Sequence, residues 1–380
     1  MRFKLVERID LGDLVTFKPN KDLPRHRWFY FKEGFSRDFV YMMLKKFKAE
    51  YNDWVLDPFM GVGTTPLTAR EYGVNCIGID VSPLFYMISD VKIRDYDPTK
   101  IEEISEWLLS QRYKPVDLDG VHPLLKKAFN IHNLRDIIFF RDKIMELEDI
   151  PARNFFLVAL LNTSSKVTLL WKEKSWLKPI ERRNIPPFRK IFQRSIRNMI
   201  EDLDKLDLKK VSILLYQADA RNMSMIEDGS IDYVITSPPY LNKIEYTRMY
   251  EIEYLLTYGD IRVNPIRSYI GIAPSMKKIR EILDILPNDT PLAAKAYFSD
   301  MSIVLSEIYR VLKDGGRVAL VVGQGVFPDR IIEADEILAE IAYSIGFRRP
   351  EIWIVNKRVV TRSRTIKIGY ARESIIFIRK

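Results

Sequence analysis

The chain has 380 residues, 47% of them hydrophobic and 29% charged, and its 60 Lys and Arg against 51 Asp and Glu leave a formal net charge of +9. This suits one large globular domain with an insertion, or two domains, with a basic surface that attracts anions, nucleic acid being the commonest large one. The lone cysteine, Cys76, excludes an internal disulfide and a cysteine-rich metal site and fits a reducing cytoplasm; no apolar run is long enough to cross a bilayer, and residues 1–4 open no signal-peptide core.

Residues 1–34 show no strong period, but residues 25–31 set aromatics and His26 between basic residues. The cluster is either ordinary core or a cap over a ligand, and in the second case His26 and Trp28 face that ligand. Ser36 can cap a helix whose apolar positions Phe35, Phe39, Met42, Met43 and Phe47 recur at helical spacing. Residues 55–80 then read as a buried strand, a glycine turn, a helix and a second strand ending in an acid. Gly61 and Gly63 let backbone N–H groups approach a ligand, Pro66 suits the first helical turn, and Gly73 marks the helix end. Asp80 falls at the carboxyl end of the second strand, the rim of an open parallel sheet, where a ribose hydroxyl pair would fit. Pro66 stands where a dinucleotide fingerprint needs its third glycine, and the Gly-Lys-Ser/Thr of a phosphate loop is absent.

From about 95 to 208 the glycines that punctuate alternating strands and helices nearly vanish, which predicts a mostly helical insertion. Its second half interleaves Lys172, Lys174, Arg182, Arg183 and Arg189 with Trp171, Trp176 and Phe188, a composition suited to phosphate contact and base stacking, or to a solvated helix face. Residues 211–218 return to a buried-strand pattern ended by Asp219, and the strand at 231–236 runs into Ser237-Pro238-Pro239-Tyr240. Two prolines fix the backbone and donate nothing, so the carbonyls of Ser237 and Pro238 are held as acceptors. Acceptors suit an exocyclic amine, whose delocalised lone pair becomes nucleophilic when its N–H groups are hydrogen-bonded into a pyramidal geometry. Tyr240 could then stack on a base extruded from a duplex.

Beyond the motif the pattern predicts a helix around 246–258, then a long loop through Asn264, Pro265, Gly271 and Pro274 that could face a substrate. An amphipathic helix at 296–312 follows, ended by Gly315 and Gly316, then a strand at 317–322 and a helix at 331–345. Strand-like runs at 351–355 and 374–378 suggest an antiparallel pair at the sheet edge. Between them, Lys357, Arg358, Arg362, Arg364, Lys367 and Arg372 form a basic loop, either contacting a nucleic-acid backbone or solvated.

The run Asp57-Pro58-Phe59-x-Gly61-x-Gly63-Thr64-Thr65, followed by Ser-Pro-Pro-Tyr, resembles the two motifs of the DNA amino-methyltransferases, over roughly residues 24–94 and 211–380. The resemblance implies an α/β fold of the class I methyltransferase kind, a doubly wound sheet with a terminal antiparallel hairpin, plus the helical insertion. It divides the chain into 1–94 (cap and cofactor half), 95–208 (insertion, a possible target-recognition region) and 209–380 (catalytic half). It implies S-adenosyl-L-methionine as methyl donor. Asp57, Phe59, Gly61, Gly63 and Thr64 would surround its methionine part, Asp80 would accept from its ribose, and Asp219 from its adenine amine. Pro58, Thr65, Val81, Ser82 and Ala220 fall within the same motifs, Trp28 opens the stretch to Phe47 that resembles the segment closing over the methionine end, and His26 just before it is a further candidate for cofactor contact. Ser237, Pro238, Pro239 and Tyr240 would carry catalysis. The partner would be double-stranded DNA, with a cognate restriction endonuclease as a further candidate, and no metal is required. Serine at the first motif position is the form associated with cytosine N4, whereas adenine N6 and guanine N2 of transfer RNA remain alternatives, as does a catalytically silent DNA-binding subunit. A C5-cytosine enzyme would need Cys76 as nucleophile, and Cys76 falls in a predicted core strand.

Overall fold

The computed structural model describes residues 3–380 apart from 115, 174–175, 183, 242–248, 261–269, 272–281, 283, 288, 328 and 363–365, and omits the side chains of 173, 176, 362 and 366–368. The expected nucleic-acid contacts Lys174, Arg183 and Arg364 lie outside the described residues, as does the side chain of Arg362. The same holds for most of the long loop expected after Tyr240.

The chain opens with β1 (Lys4–Glu7) and short 3-10 turns, then α1 (Arg37–Phe47), β2 (Trp54–Asp57), α2 (Thr64–Tyr72), β3 (Asn75–Asp80) and α3 (Pro83–Ile93). The insertion contributes α4 (Pro98–Ser110), α5 (Pro123–Ala128), α6 (Ile131–Met145), α7 (Ile150–Val167), a hairpin of β4 (Leu170–Glu173) and β5 (Trp176–Pro179), and α8 (Phe188–Glu201). There follow β6 (Ile213–Gln217), β7 (Ile231–Thr236), α9 (Glu251–Tyr258), α10 (Leu292–Val311), β8 (Leu312–Gly323), β9 (Gly325–Val326), β10 (Ile331–Ile332), α11 (Ala334–Ile345), β11 (Glu351–Arg362) and β12 (Ile366–Arg379).

Eight strands form one sheet in the order β1-β11-β12-β8-β7-β2-β3-β6, parallel throughout except for β12, which runs antiparallel to both neighbours. From β2 the chain winds outward through β3 to β6, then returns to β7 on the other side of β2 and winds the opposite way. The reversal falls between β2 and β7, the place where open α/β sheets bind ligands. Alternate residues enter opposite cores. Leu56, Val234, Val318, Leu320 and Val322 pack under α10 and α11, while Val55, Ile235, Ala319 and Val321 pack under α1 and the end of α2. Ser36 caps α1 as expected, accepting from Phe39 N at 3.1 Å.

Several boundaries differ from the pattern. The terminal pair is not at the edge: β11 and β12 are long, β12 is interior, and the edge belongs to β1, which is too short to show a period and is held by parallel pairing to β11. Of the basic residues between the two runs, Lys357, Arg358, Arg362, Lys367 and Arg372 therefore sit on the paired strands of a hairpin rather than in a loop. Gly315 and Gly316 do not end α10; they lie in β8, where the register against β7 jumps from Ile231–Leu312 to Tyr233–Arg317. A Cβ at Gly316 would approach Leu312 Cδ2 to 2.7 Å, so the bulge closes only around a bare Cα. The last helix starts at Ala334, because Ile331 and Ile332 pair with β9. The insertion also carries the β4–β5 hairpin, which the composition did not predict.

A third apolar cluster joins α3 to the insertion helices, to α9 and to Trp28, Phe29 and Phe31. Lys92 on α3 is 1% exposed, its Nζ has no hydrogen-bond partner among the described residues, and burial lowers its pKa to about 7. The unfolded chain keeps that proton up to the usual lysine range, so between about pH 7 and 10 it binds more protons than the native state, and stability rises with pH across that window. Lys92→Met should therefore stabilise the protein by roughly 2–3 kcal/mol at pH 6 and by a fraction of that at pH 10. Urea unfolding at the two pH values checks this; an equal gain at both would show that the buried charge is not the cause.

Candidate active site

The glycine turn leaves β2 at Asp57 and enters α2 at Gly63, whose φ of +81° and lack of a side chain are both needed: a Cβ there would meet Ser89 Oγ at 2.8 Å. Asp57 lies beneath the turn. Its Oδ2 accepts from Thr65 Oγ1 and its Oδ1 from Thr236 Oγ1, both at 2.6 Å, and Oδ1 also takes Phe59 N at 3.1 Å. Burial outweighs these donors and raises its pKa to about 6. Asp57, Gly63, Thr64 and Thr65 are buried and do not line the cavity above them; they lie beneath the turn, whereas Phe59 and Gly61 line the cavity.

That cavity, of about 710 Å³, opens at the carboxyl ends of β2, β3, β6 and β7. Pro58, Phe59, Gly61, Asp80, Val81, Asp219 and Ala220 line it, together with all four residues Ser237, Pro238, Pro239 and Tyr240. The structure thus brings two motifs some 180 residues apart in the chain onto one cavity. Asp80 accepts from Gly61 N (3.0 Å) and Ser82 N (2.8 Å), and its desolvated position raises its pKa to about 7. Asp219 is held by Arg221, whose Nη2 donates to Oδ2 at 2.6 Å and whose backbone N–H donates to Oδ1 at 2.9 Å. Ser237 Oγ donates to Val321 O at 3.1 Å, and the Tyr240 hydroxyl donates to Glu373 Oε1 at 2.7 Å. Ser82 is buried beside the cavity, capping α3 and bonded to the Tyr254 hydroxyl at 2.6 Å.

His26 and Trp28 do not line the cavity. His26 Nε2 bonds Glu71 Oε1 at 2.7 Å, and burial lowers its pKa despite that partner; Trp28 Nε1 donates to Asp202 Oδ2 at 3.0 Å. Both side chains anchor the segment instead, and the wall is made by the residues that follow, Phe31, Lys32 and Glu33. Glu33 accepts from the Tyr250 hydroxyl at 2.8 Å, and burial pushes its carboxyl pKa up. The signal for this wall lay in the aromatic cluster at residues 25–31, whose last residue, Phe31, lines the cavity. Glu373 was missed because nothing local separates a cavity-facing strand carboxylate from a solvated one.

Of the expected nucleic-acid contacts that are described, Arg358 lines the cavity mouth. Lys172 does not line the cavity; it lies 2.5 Å from Glu253 Oε1 and 3.7 Å from the centre of the Tyr250 ring. Arg189 lies against Phe140 and 3.6 Å from Asp136, and Arg182 donates to Lys166 O. Cys76 is buried in β3 with its thiol pKa pushed up by burial, which does not suit a nucleophile. No group of three or more potential metal ligands occurs among the described residues.

The cavity suits a nucleoside methyl donor by its own chemistry. Its volume lies in the range of small-molecule sites, Phe59 and Val81 offer apolar surface for a purine, and Asp80 keeps acceptor capacity at the wall. A family model described as DNA methylase matches residues 14–90, covering the cap and the glycine turn. The Type II methyltransferase M.BsoBI of Geobacillus stearothermophilus is 24% identical over 91% of this chain and 83% of its own length. The Type II methyltransferase M.AvaI of Nostoc is 24% identical over 90% and 83%. Among solved structures, an S-adenosylmethionine-dependent methyltransferase from Methanosarcina mazei covers 89% of this chain and 96% of its own at 10% identity and a TM-score of 0.34, which adds nothing to the topology described above. The chain is thus similar to the DNA methylase family model over residues 14–90 and to Type II methyltransferases over most of its length, and these findings support a DNA amino-methyltransferase family.

Proposed function

We propose that the protein methylates an exocyclic amino group, most specifically cytosine N4, of a base extruded from double-stranded DNA, with S-adenosyl-L-methionine as donor. The observation that carries the reading is the single cavity lined both by Gly61 and Asp80 and by Ser237, Pro238, Pro239 and Tyr240. The donor supplies an electrophilic methyl group. The protein's own part is to orient the amine: carbonyls of the Ser-Pro-Pro segment accept from its N–H groups, Tyr240 stacks on the base, and the walls exclude water. Serine at position 237 favours cytosine N4 over adenine N6. Arg358 at the mouth is a candidate for contact with the DNA backbone, and the Type II names of the relatives make a cognate endonuclease a candidate partner.

Incubation with methyl-labelled donor and, separately, genomic duplex DNA and transfer RNA, followed by identification of the labelled nucleoside, tests the proposal. N4-methylcytosine in DNA is expected; N6-methyladenine would move the target base, and label confined to RNA would sink the reading. Asp80→Ala should weaken donor binding by about tenfold or more, reflecting the loss of a charge-assisted hydrogen-bond acceptor. Because the carboxyl titrates near pH 7 and its ionised form is the better acceptor, wild-type donor affinity should increase from pH 6 to pH 8 while that of Asp80→Ala stays flat. Calorimetric titration at the two pH values measures both.

A further inference from the structure

We propose that Glu373 is a positioning residue for Tyr240, acting with the bare Cα of Gly323 to lock the tyrosine ring in the cavity wall before any base arrives. The inference rests on the reading of Ser237–Tyr240 as the amine-binding segment.

Three observations converge. The Tyr240 hydroxyl donates to Glu373 Oε1 at 2.7 Å, a length typical of a charge-assisted bond. At the other end of the ring, a Cβ placed on Gly323 would fall 2.6 Å from Tyr240 Cδ2 and 2.7 Å from Cε2, so the ring occupies the volume that any other residue's side chain would take. Glu373 and Gly323 are themselves cross-strand partners of β12 and β8, which makes the two contacts one unit. The residues on either side of Glu373 explain why it alone turns to the cavity. Arg372 donates to Asp335 (2.7 Å) and Glu336 (2.6 Å), and Ser374 Oγ donates to Asp335 (2.6 Å), so both neighbours are fastened to α11 on the opposite face of the sheet. The strand alternation then leaves the Glu373 side chain no other direction. Asp335 is 1% exposed, which makes this a rigid mounting for β12. Tyr240 follows two prolines that fix only the backbone; its ring torsions are restrained by the clamp, and a ring already in place loses less freedom when a base stacks on it.

The test uses the full chain, methyl-labelled donor and sheared genomic duplex DNA. Glu373→Ala and Tyr240→Phe should each lower kcat about tenfold, with the KM for the donor unchanged, and the double variant should be no slower than either single one. Glu373→Gln, which keeps an acceptor at the same place, should return kcat to within about threefold of wild type. Independent losses in the double variant would overturn the proposal. A second readout does not depend on turnover. With 3-fluorotyrosine installed at position 240, the 19F resonance of the ligand-free protein should move toward that of free fluorotyrosine and sharpen in Glu373→Ala but not in Glu373→Gln. An unchanged resonance in Glu373→Ala would refute the clamp. If the wild-type protein methylates no nucleic acid, the functional reading fails, and the resonance still decides whether Glu373 holds the ring.

Discussion

Tyr240→Ala should lower methyl transfer about a hundredfold while leaving donor affinity within about twofold. Stacking of a base on an aromatic side chain contributes roughly 1–3 kcal/mol. Loss of the ring also frees the base to tumble in a cavity of about 710 Å³, and misplacement of the reacting amine by an ångström costs a further factor. Donor affinity should survive because Tyr240 bonds to Glu373 on β12 and packs at Gly323 on β8, whereas the glycine turn and Asp80 belong to β2 and β3. Single-turnover rates on genomic DNA, compared with calorimetric donor binding, separate the two effects. A variant that loses donor binding as severely as turnover would show that the ring belongs to the donor's half of the cavity.

The second large effect is on stability. Asp202, fully buried at the carboxyl end of α8, accepts from Arg27 Nε (2.9 Å) and Nη2 (2.6 Å), from Trp28 Nε1 (3.0 Å) and from the backbone N–H of Arg25 (3.4 Å). Asp202→Ala removes the acceptor for all four donors and leaves the indole N–H buried without a partner. A loss of about 3–5 kcal/mol follows from the usual cost of breaking a buried ion pair. Asp202→Asn, which keeps one acceptor oxygen but no charge, should lose about half as much. Thermal and urea unfolding of the three proteins measure the series, and a loss under about 1 kcal/mol in Asp202→Ala would mean that Arg27 and Trp28 find other partners.

The parts of this architecture that could be read from the amino acids are those whose physics is local. A serine three residues before an amide it can accept from, two glycines after an apolar run, and two prolines after another each declare themselves within a few residues. Ser36, the turn at residues 57–63 and residues 237–240 were legible for that reason, and so was the alternation of strands and helices around them. What was not legible depends on partners far away in the chain. β1 is a strand only because β11 lies beside it. The segment holding His26 and Trp28 was readable as core or cap, but the direction of those two side chains was not, since Glu71 and Asp202 decide which way they point. The same applies to Glu373 and to the Arg221 that holds Asp219. The lengths of β11 and β12 were underestimated because their outer halves carry the basic residues of an exposed hairpin, with Val359 and Tyr370 opposite one another.

Asp57 carries a consequence for timing. Its two oxygens reach Thr65 at the start of α2 and Thr236 at the end of β7, so one carboxyl group couples the segment expected to hold the donor to the strand that delivers Ser237. On the function proposed above, the separation between donor and acceptor is then set when the protein folds, well before either substrate is present, and an encounter with DNA has only to deliver a base to a gap already gauged.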